Sequence, residues 1–469
     1  MKGLARALGV TLGLGAAALA SAESFSERFE TMKREATPEE LYSILYALPK
    51  GGDLHNHLGG AGFSELWWRL ANEDTLSGGQ TFFTKVRVNE CAPACSAPLL
   101  YFHTVPASQW SSLSPCCREE YEPLAELAED QRQAWMSSIR IDGPNEARDE
   151  FFDNIWPRIG GVLDQARVLA EAAVENMKLF AAEGVRYVEF QVSPFGRWIG
   201  DRELSADEFH EVLVERLARS DALETGVTVR FQTNVLRFSP QAEHMVEESY
   251  AFIDRHRDLW VSVNLVGRED NDKGHPLRFL DTFREMRRRY PRIGLAIHGG
   301  EVDEPNQHVR DTLLLGADRI GHGTNLVTDP DTLLLMRTGK FAVEVSLVSN
   351  HLLAYTPEVS LHPFPELLRL GVPVCLSTDD RGMWDSNMTD EIFTAVTEFN
   401  LSWDEVVELG RTSLEFAFVP DDIKFGLLEG YARDLDAFTA EFDHDDWRDT
   451  AAGVPARPTG YARRYFLSQ

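Results

Sequence analysis

Four short stretches carry side chains that could hold a metal ion and activate water beside an acid. His55 and His57 stand two residues apart in DLHNHL. Neighbours at that spacing in a strand face the same side, and two imidazoles together suit ligation better than packing. His298 follows in IHGGE, with Glu301 just beyond it. His322 lies between glycines in RIGHG, where backbone can approach a ligand closely. Asp379 and Asp380 adjoin in STDD, and paired carboxylates repel unless a cation or a proton relieves them. Three imidazoles and one carboxylate suit Zn²⁺ with a position left for water, although Fe²⁺, Mn²⁺ or Co²⁺ could take the same donors. Such a metal makes hydroxide available near neutral pH.

These residues sit on or just past short apolar runs. The runs are 52–58, 185–193, 227–235, 261–267, 294–301, 319–325, 341–350 and 373–380, eight in all. Between most of them lie stretches with helical periodicity, at 165–182, 206–219, 241–257 and 277–290. Strands alternating with helices predict a parallel sheet, and eight units predict an α/β fold of the (β/α)₈ TIM barrel type. The candidate residues then fall at C-terminal strand ends, where barrels place catalytic groups. Residues 24–48 read as helix ahead of the barrel, which spans 49–450. An insertion over about 74–121 follows the first strand, helices at 391–399 and 403–416 close the barrel, and 451–469 reads as a weakly structured tail.

The 469 residues are 43% hydrophobic, enough for one large core. A net charge of −29 disfavours a nucleic-acid partner. Residues 1–22 have a basic start, an apolar run too short to span a bilayer, and Ala20-Ser21-Ala22 as a cleavage pattern. They predict an exported protein, periplasmic or extracellular, without a stable membrane anchor. Cys91, Cys95, Cys116 and Cys117 cluster in the insertion and predict two disulfides of open pairing. Cys375 stands alone.

The order of these motifs resembles the adenosine deaminase family of the metal-dependent amidohydrolase superfamily. LHNHLGGA, IHGGEV, RIGHGTNL and STDD carry the resemblance over about 48–420. PKGGDLHNH, the cysteine-bearing insertion and NLVGRED are similar to the family's secreted, growth-factor branch. The fourth run offers Asn264 but no Lys or Glu to bridge a second metal, which favours one Zn²⁺. The resemblance implies that His55, His57, His298 and Asp379 hold it. His322 would orient the water and take its proton or stabilise its charge. Glu301 would protonate N1 of the purine, Asp380 would bond N7, and the Gly267 amide would meet N3. The implied reaction is hydrolysis of adenosine or 2′-deoxyadenosine to inosine and ammonia; some family members are homodimers.

The chain departs from the family pattern in places. Gly59 stands where many members carry a ribose-contacting Asp, so sugar recognition must differ, with the insertion or Trp67 and Trp68 as candidates, although the two tryptophans read first as packing residues. Ser346-Leu347 replaces Cys-Pro, and Arg381 replaces Pro. Two alternatives remain: a metal-dependent amidohydrolase acting on another aminopurine, and a secreted signalling or binding protein without catalysis.

Overall fold

The computed structural model describes residues 24–89, 100–270, 272–302 and 306–467. The expected export segment, and Cys91 and Cys95, lie outside the described residues. Eight strands pair in parallel in chain order: β1 (Gly51–His57), β2 (Val185–Gln191), β3 (Thr228–Leu236), β4 (Trp260–Val266), β5 (Gly294–Gly299), β6 (Arg319–His322), β7 (Ala342–Val345) and β8 (Val374–Leu376). The ring closes just past β8. There the His57 amide donates to the Asp379 carbonyl at 3.0 Å, and the Asp379 amide donates to the His55 carbonyl at 2.9 Å. The seam of the barrel therefore runs through three of the candidate ligands.

β1 and β4 are buried along their whole length, as expected for strands covered on both faces. Pairing of β1 with β2 shifts register between Asp53 and Asn56, a bulge next to His55. The covering helices include Ala166–Ala182, Ala206–Leu217, Ala242–Arg255 and Leu280–Arg289. All four fall inside the periodic stretches of the sequence.

Several elements differ from expectation. The helical segment expected over 24–48 resolves into two helices, α1 (Phe25–Glu35) and α2 (Pro38–Ala47). Thr37 caps α2 with Glu40 in a reciprocal box, and Pro38 starts it, so the chain restarts there. β7 ends at Val345 and gives way to the helix Leu347–Leu352. The tail is not weakly structured: Gly460–Tyr465 is helical, Tyr461 and Ala462 are buried, and the Tyr461 amide donates to the Asp385 carbonyl at 2.8 Å. A 22-residue helix, Asp421–Phe442, precedes it.

The insertion forms a three-stranded antiparallel sheet from Phe82–Lys85, Thr104–Pro106 and Tyr121–Pro123. Its buried Lys85 pairs with Glu120 at 2.7 Å. Cys116 and Cys117 each take part in a disulfide, and Cys375 is a buried free thiol. The expected pairing rests on residues outside those described. Among the described residues, no helix is long and apolar enough to cross a membrane.

Candidate active site

Four buried side chains converge at the C-terminal mouth of the barrel. Nε2 of His298 lies 3.0 Å from Nε2 of His55 and 3.2 Å from Nε2 of His57. Oδ1 of Asp379 lies 3.4 Å from Nε2 of His55 and 3.2 Å from Nε2 of His57. Buttressing residues set the tautomers. Nδ1 of His55 donates to Glu344 at 2.9 Å, and Nδ1 of His298 donates to Oδ1 of Asn264 at 2.9 Å. The Asn264 amide group donates in turn to Gln232 at 3.1 Å, which aims its oxygen at His298. With Nδ1 so engaged, Nε2 is the nitrogen that each ring turns inward. At His55 burial opposes protonation of the ring, but the Asp379 and Glu344 carboxylates outweigh it and raise its pKa to about 10, so a proton or a metal cation is drawn to this cluster of nitrogens and carboxylate. The ligand atoms lie within 4.8 Å of one another, and this donor set fits a divalent metal.

Glu301 follows β5 across a sharp turn. Gly300 has φ +90°, and its amide donates to Glu269 at 2.8 Å. Glu269 is paired with Arg237 at 2.9 Å, and Arg237 donates to the His298 carbonyl at 2.6 Å. This clamp delivers the Glu301 carboxyl to 3.8 Å from Nε2 of His322. His322 and Asp379 both hold positive φ, 64° and 54°, in the left-handed region that non-glycine residues adopt uncommonly.

A relay orients His322. The Phe364 amide donates to Nδ1 of His362 at 3.0 Å, so Nε2 of that ring carries the proton and donates to Asn350 Oδ1 at 3.0 Å. The Asn350 amide group then donates to Nδ1 of His322 at 3.1 Å. Nε2 of His322 is left as an N–H aimed into the site, with no hydrogen-bond partner among the described residues. Burial pushes His322 down to about 4, so the ring is neutral.

Burial and then the Asp379 charge push both Glu301 and Asp380 well above the usual carboxylate range. Asp379 moves the other way. Its own burial opposes ionisation, but His55 and His57 beside it hold it charged. Ser349 also donates to its second oxygen at 2.7 Å.

Glu301, Asp379, Asp380, His57 and His298 form the floor of a cavity of about 380 Å³. Its walls are Phe151, Phe152, Trp156, Leu236 and Phe238, with Gly267 and Arg268 at one side. Gly267 has φ +92°, and a Cβ there would meet Leu236 at 2.8 Å and Phe238 at 2.9 Å. Trp67 and Trp68 do not line this cavity. Trp67 is buried, and Trp68 packs on Trp135 with ring centroids 5.7 Å apart. Arg381 pairs with Glu183 at 2.9 Å and stacks on Phe180 behind the site. The sequence reading missed Glu344, Ser349, His362 and Trp156. Nothing local in the sequence marked Glu344.

Residues 126–433 match the family model described as adenosine deaminase. An adenosine deaminase of Mycobacteroides abscessus is 28% identical over 66% of this chain and 88% of its own length. An adenine deaminase of Chelativorans sp. is 30% identical over 54% and 75%, and an N6-methyl-AMP deaminase of Xenopus laevis is 27% identical over 61% and 81%. A solved amidohydrolase of Burkholderia ambifaria with bound Zn superposes with a TM-score of 0.62 at 18% identity, over 93% of this chain and 97% of that one. At that identity the likeness is one of fold.

Proposed function

The chain belongs to the adenosine deaminase family, and from that premise we propose that it hydrolyses adenosine or 2′-deoxyadenosine to inosine and ammonia. The observation that carries this reading is the pair of buried carboxyls, Glu301 and Asp380, whose acid forms are favoured by burial and by the neighbouring charge of Asp379. N1, N3 and N7 of an aminopurine are all acceptors. Protonated Glu301 donates to N1, protonated Asp380 to N7, and the Gly267 amide to N3.

His55, His57, His298 and Asp379 would hold one Zn²⁺. When bound, zinc brings the pKa of water toward neutrality. Hydroxide adds to C6 while Glu301 transfers its proton to N1, which makes C6 electrophilic. The His322 Nε2–H donates to the attacking oxygen and stabilises its charge. Of the two roles open to His322, the relay through Asn350 supports this one over proton removal. The hydroxyl proton passes to the leaving amine, the C6–N bond breaks, ammonia departs and solvent reprotonates Glu301.

Ultraviolet absorbance of the zinc-loaded protein with adenosine tests the proposal. The expected result is a shift to the inosine spectrum that is abolished by a chelator and by Glu301→Gln. Ammonia released only from another aminopurine would keep the mechanism and replace the substrate. Ammonia from none would overturn the reading.

A further inference from the structure

The floor of the cavity fixes where the N9 substituent of a bound purine must go, given the proposed placement of the ring. With N3 at Gly267 and N7 at Asp380, N9 points between them. On the Asp380 side stand Gly60, whose added Cβ would reach the carboxyl of Asp380, and Gly59. A Cβ on Gly59 would meet the Trp156 ring at 2.9 Å and Leu163 at 3.0 Å. The indole thus fills the space in which a side chain from residue 59 would stand. On the Gly267 side stands Arg268, the one arginine or lysine among the described residues lining the cavity, and it is not free. It bonds Asp149 at 2.8 Å and Asp270 at 2.6 Å, lies 4.0 Å from Asp153, and packs over Phe152 at 5.7 Å. Three carboxylates surround one guanidinium, so this rim is net negative.

We propose that Trp156, seated against Gly59, and the acid-clamped Arg268 form the subsite for the N9 substituent, and that this subsite takes the sugar of a nucleoside and rejects a nucleotide phosphate. A 5′-phosphate would arrive beside Asp149 and Asp153, whose side chains are 81% and 68% exposed, and would find the Arg268 guanidinium already engaged. An uncharged sugar gains instead from apolar and aromatic contact with Trp156, Phe151 and Phe152, which does not require its hydroxyls to be read by a carboxylate. This inference rests on the ring placement proposed above.

The test uses the full chain loaded with zinc. Inosine and IMP, the products, are titrated by calorimetry, which needs no turnover, and kcat/KM is measured for adenosine, 2′-deoxyadenosine and AMP. The expected results are IMP binding weaker than inosine by about 100-fold or more at low salt, narrowing as salt screens the rim, and the two nucleosides within about fivefold. Asp149→Asn with Asp153→Asn, both exposed, should raise the IMP-to-inosine affinity ratio by about tenfold. Trp156→Ala should weaken inosine more than hypoxanthine. IMP binding as tightly as inosine, or a ratio unmoved by the double substitution, would overturn the inference. Selective inosine binding without ammonia release would leave it standing and remove the catalytic proposal.

Discussion

Asn264 Oδ1 stands 2.9 Å from Nδ1 of His298, and this contact decides which nitrogen of the ring faces the cluster. Asn264 is also what β4 offers where a bridging ligand for a second metal would otherwise stand. It serves as a positioning group for the first site. Asn264→Ala should lower metal affinity by about 10–100-fold, the usual cost of losing a partner behind a ligating His. Competition against a graded chelator reads this directly. Activity at saturating metal should largely return, and unchanged affinity would show that His298 needs no such partner.

The raised Glu301 carboxyl gives the pH dependence its sign. Its acid form is the one that donates to N1, and burial keeps that form populated above the ordinary carboxylate range. Activity therefore falls as pH rises through its pKa and is retained below it, until the metal ligands themselves protonate. Glu301→Gln should lower kcat by about 10²–10⁴-fold with a smaller change in KM. The residual rate should lose the alkaline limb. A limb that survives the substitution would belong to another group.

Much of this arrangement was legible in the sequence because periodicity and motif coincide at strand ends. His55-x-His57, His298, His322 and Asp379 each announced a strand terminus, and the eight runs gave the barrel that brings them together. Glu344 was not legible. In β7 it reads as one polar residue in an apolar run, and its role appears only when the ring closes and places it 2.9 Å from His55. Trp156 was hidden for a similar reason. It follows a π-helical turn, Phe151–Ile155, in the long connection before β2, and only the tertiary fold lays it against Gly59.

Arg319 supports the site from below and supplies a stability prediction. Fully buried, it bonds both oxygens of Glu189, at 3.1 and 2.5 Å, and pairs with Glu344 at 2.5 Å, which in turn holds His55. Arg319→Met leaves two buried carboxylates without their cation. The expected cost is about 3–5 kcal/mol of unfolding free energy, read from the denaturation midpoint at fixed slope. Metal affinity should fall as well, because Glu344 loses the charge that orients it. A loss under about 1 kcal/mol would mean that the carboxylates protonate and repack instead.

The contact between Gly59 and Trp156 predicts how the chain answers an acidic side chain at position 59. Gly59→Asp alone drives a Cβ into the indole at 2.9 Å, so it should cost about 1–3 kcal/mol by overpacking. Trp156→Ala alone opens the wall and should raise KM for adenosine. The two changes share one space, so they should not add. The double variant should be more stable than the sum of the single costs, with a coupling of about 0.5–3 kcal/mol. If the freed carboxylate reaches the sugar, the double variant should also discriminate between adenosine and 2′-deoxyadenosine more strongly than the parent chain. A double-mutant cycle on stability, run beside kcat/KM for the two nucleosides, separates packing from recognition. Strict additivity would show that the indole moves aside at little cost and does not dictate the glycine.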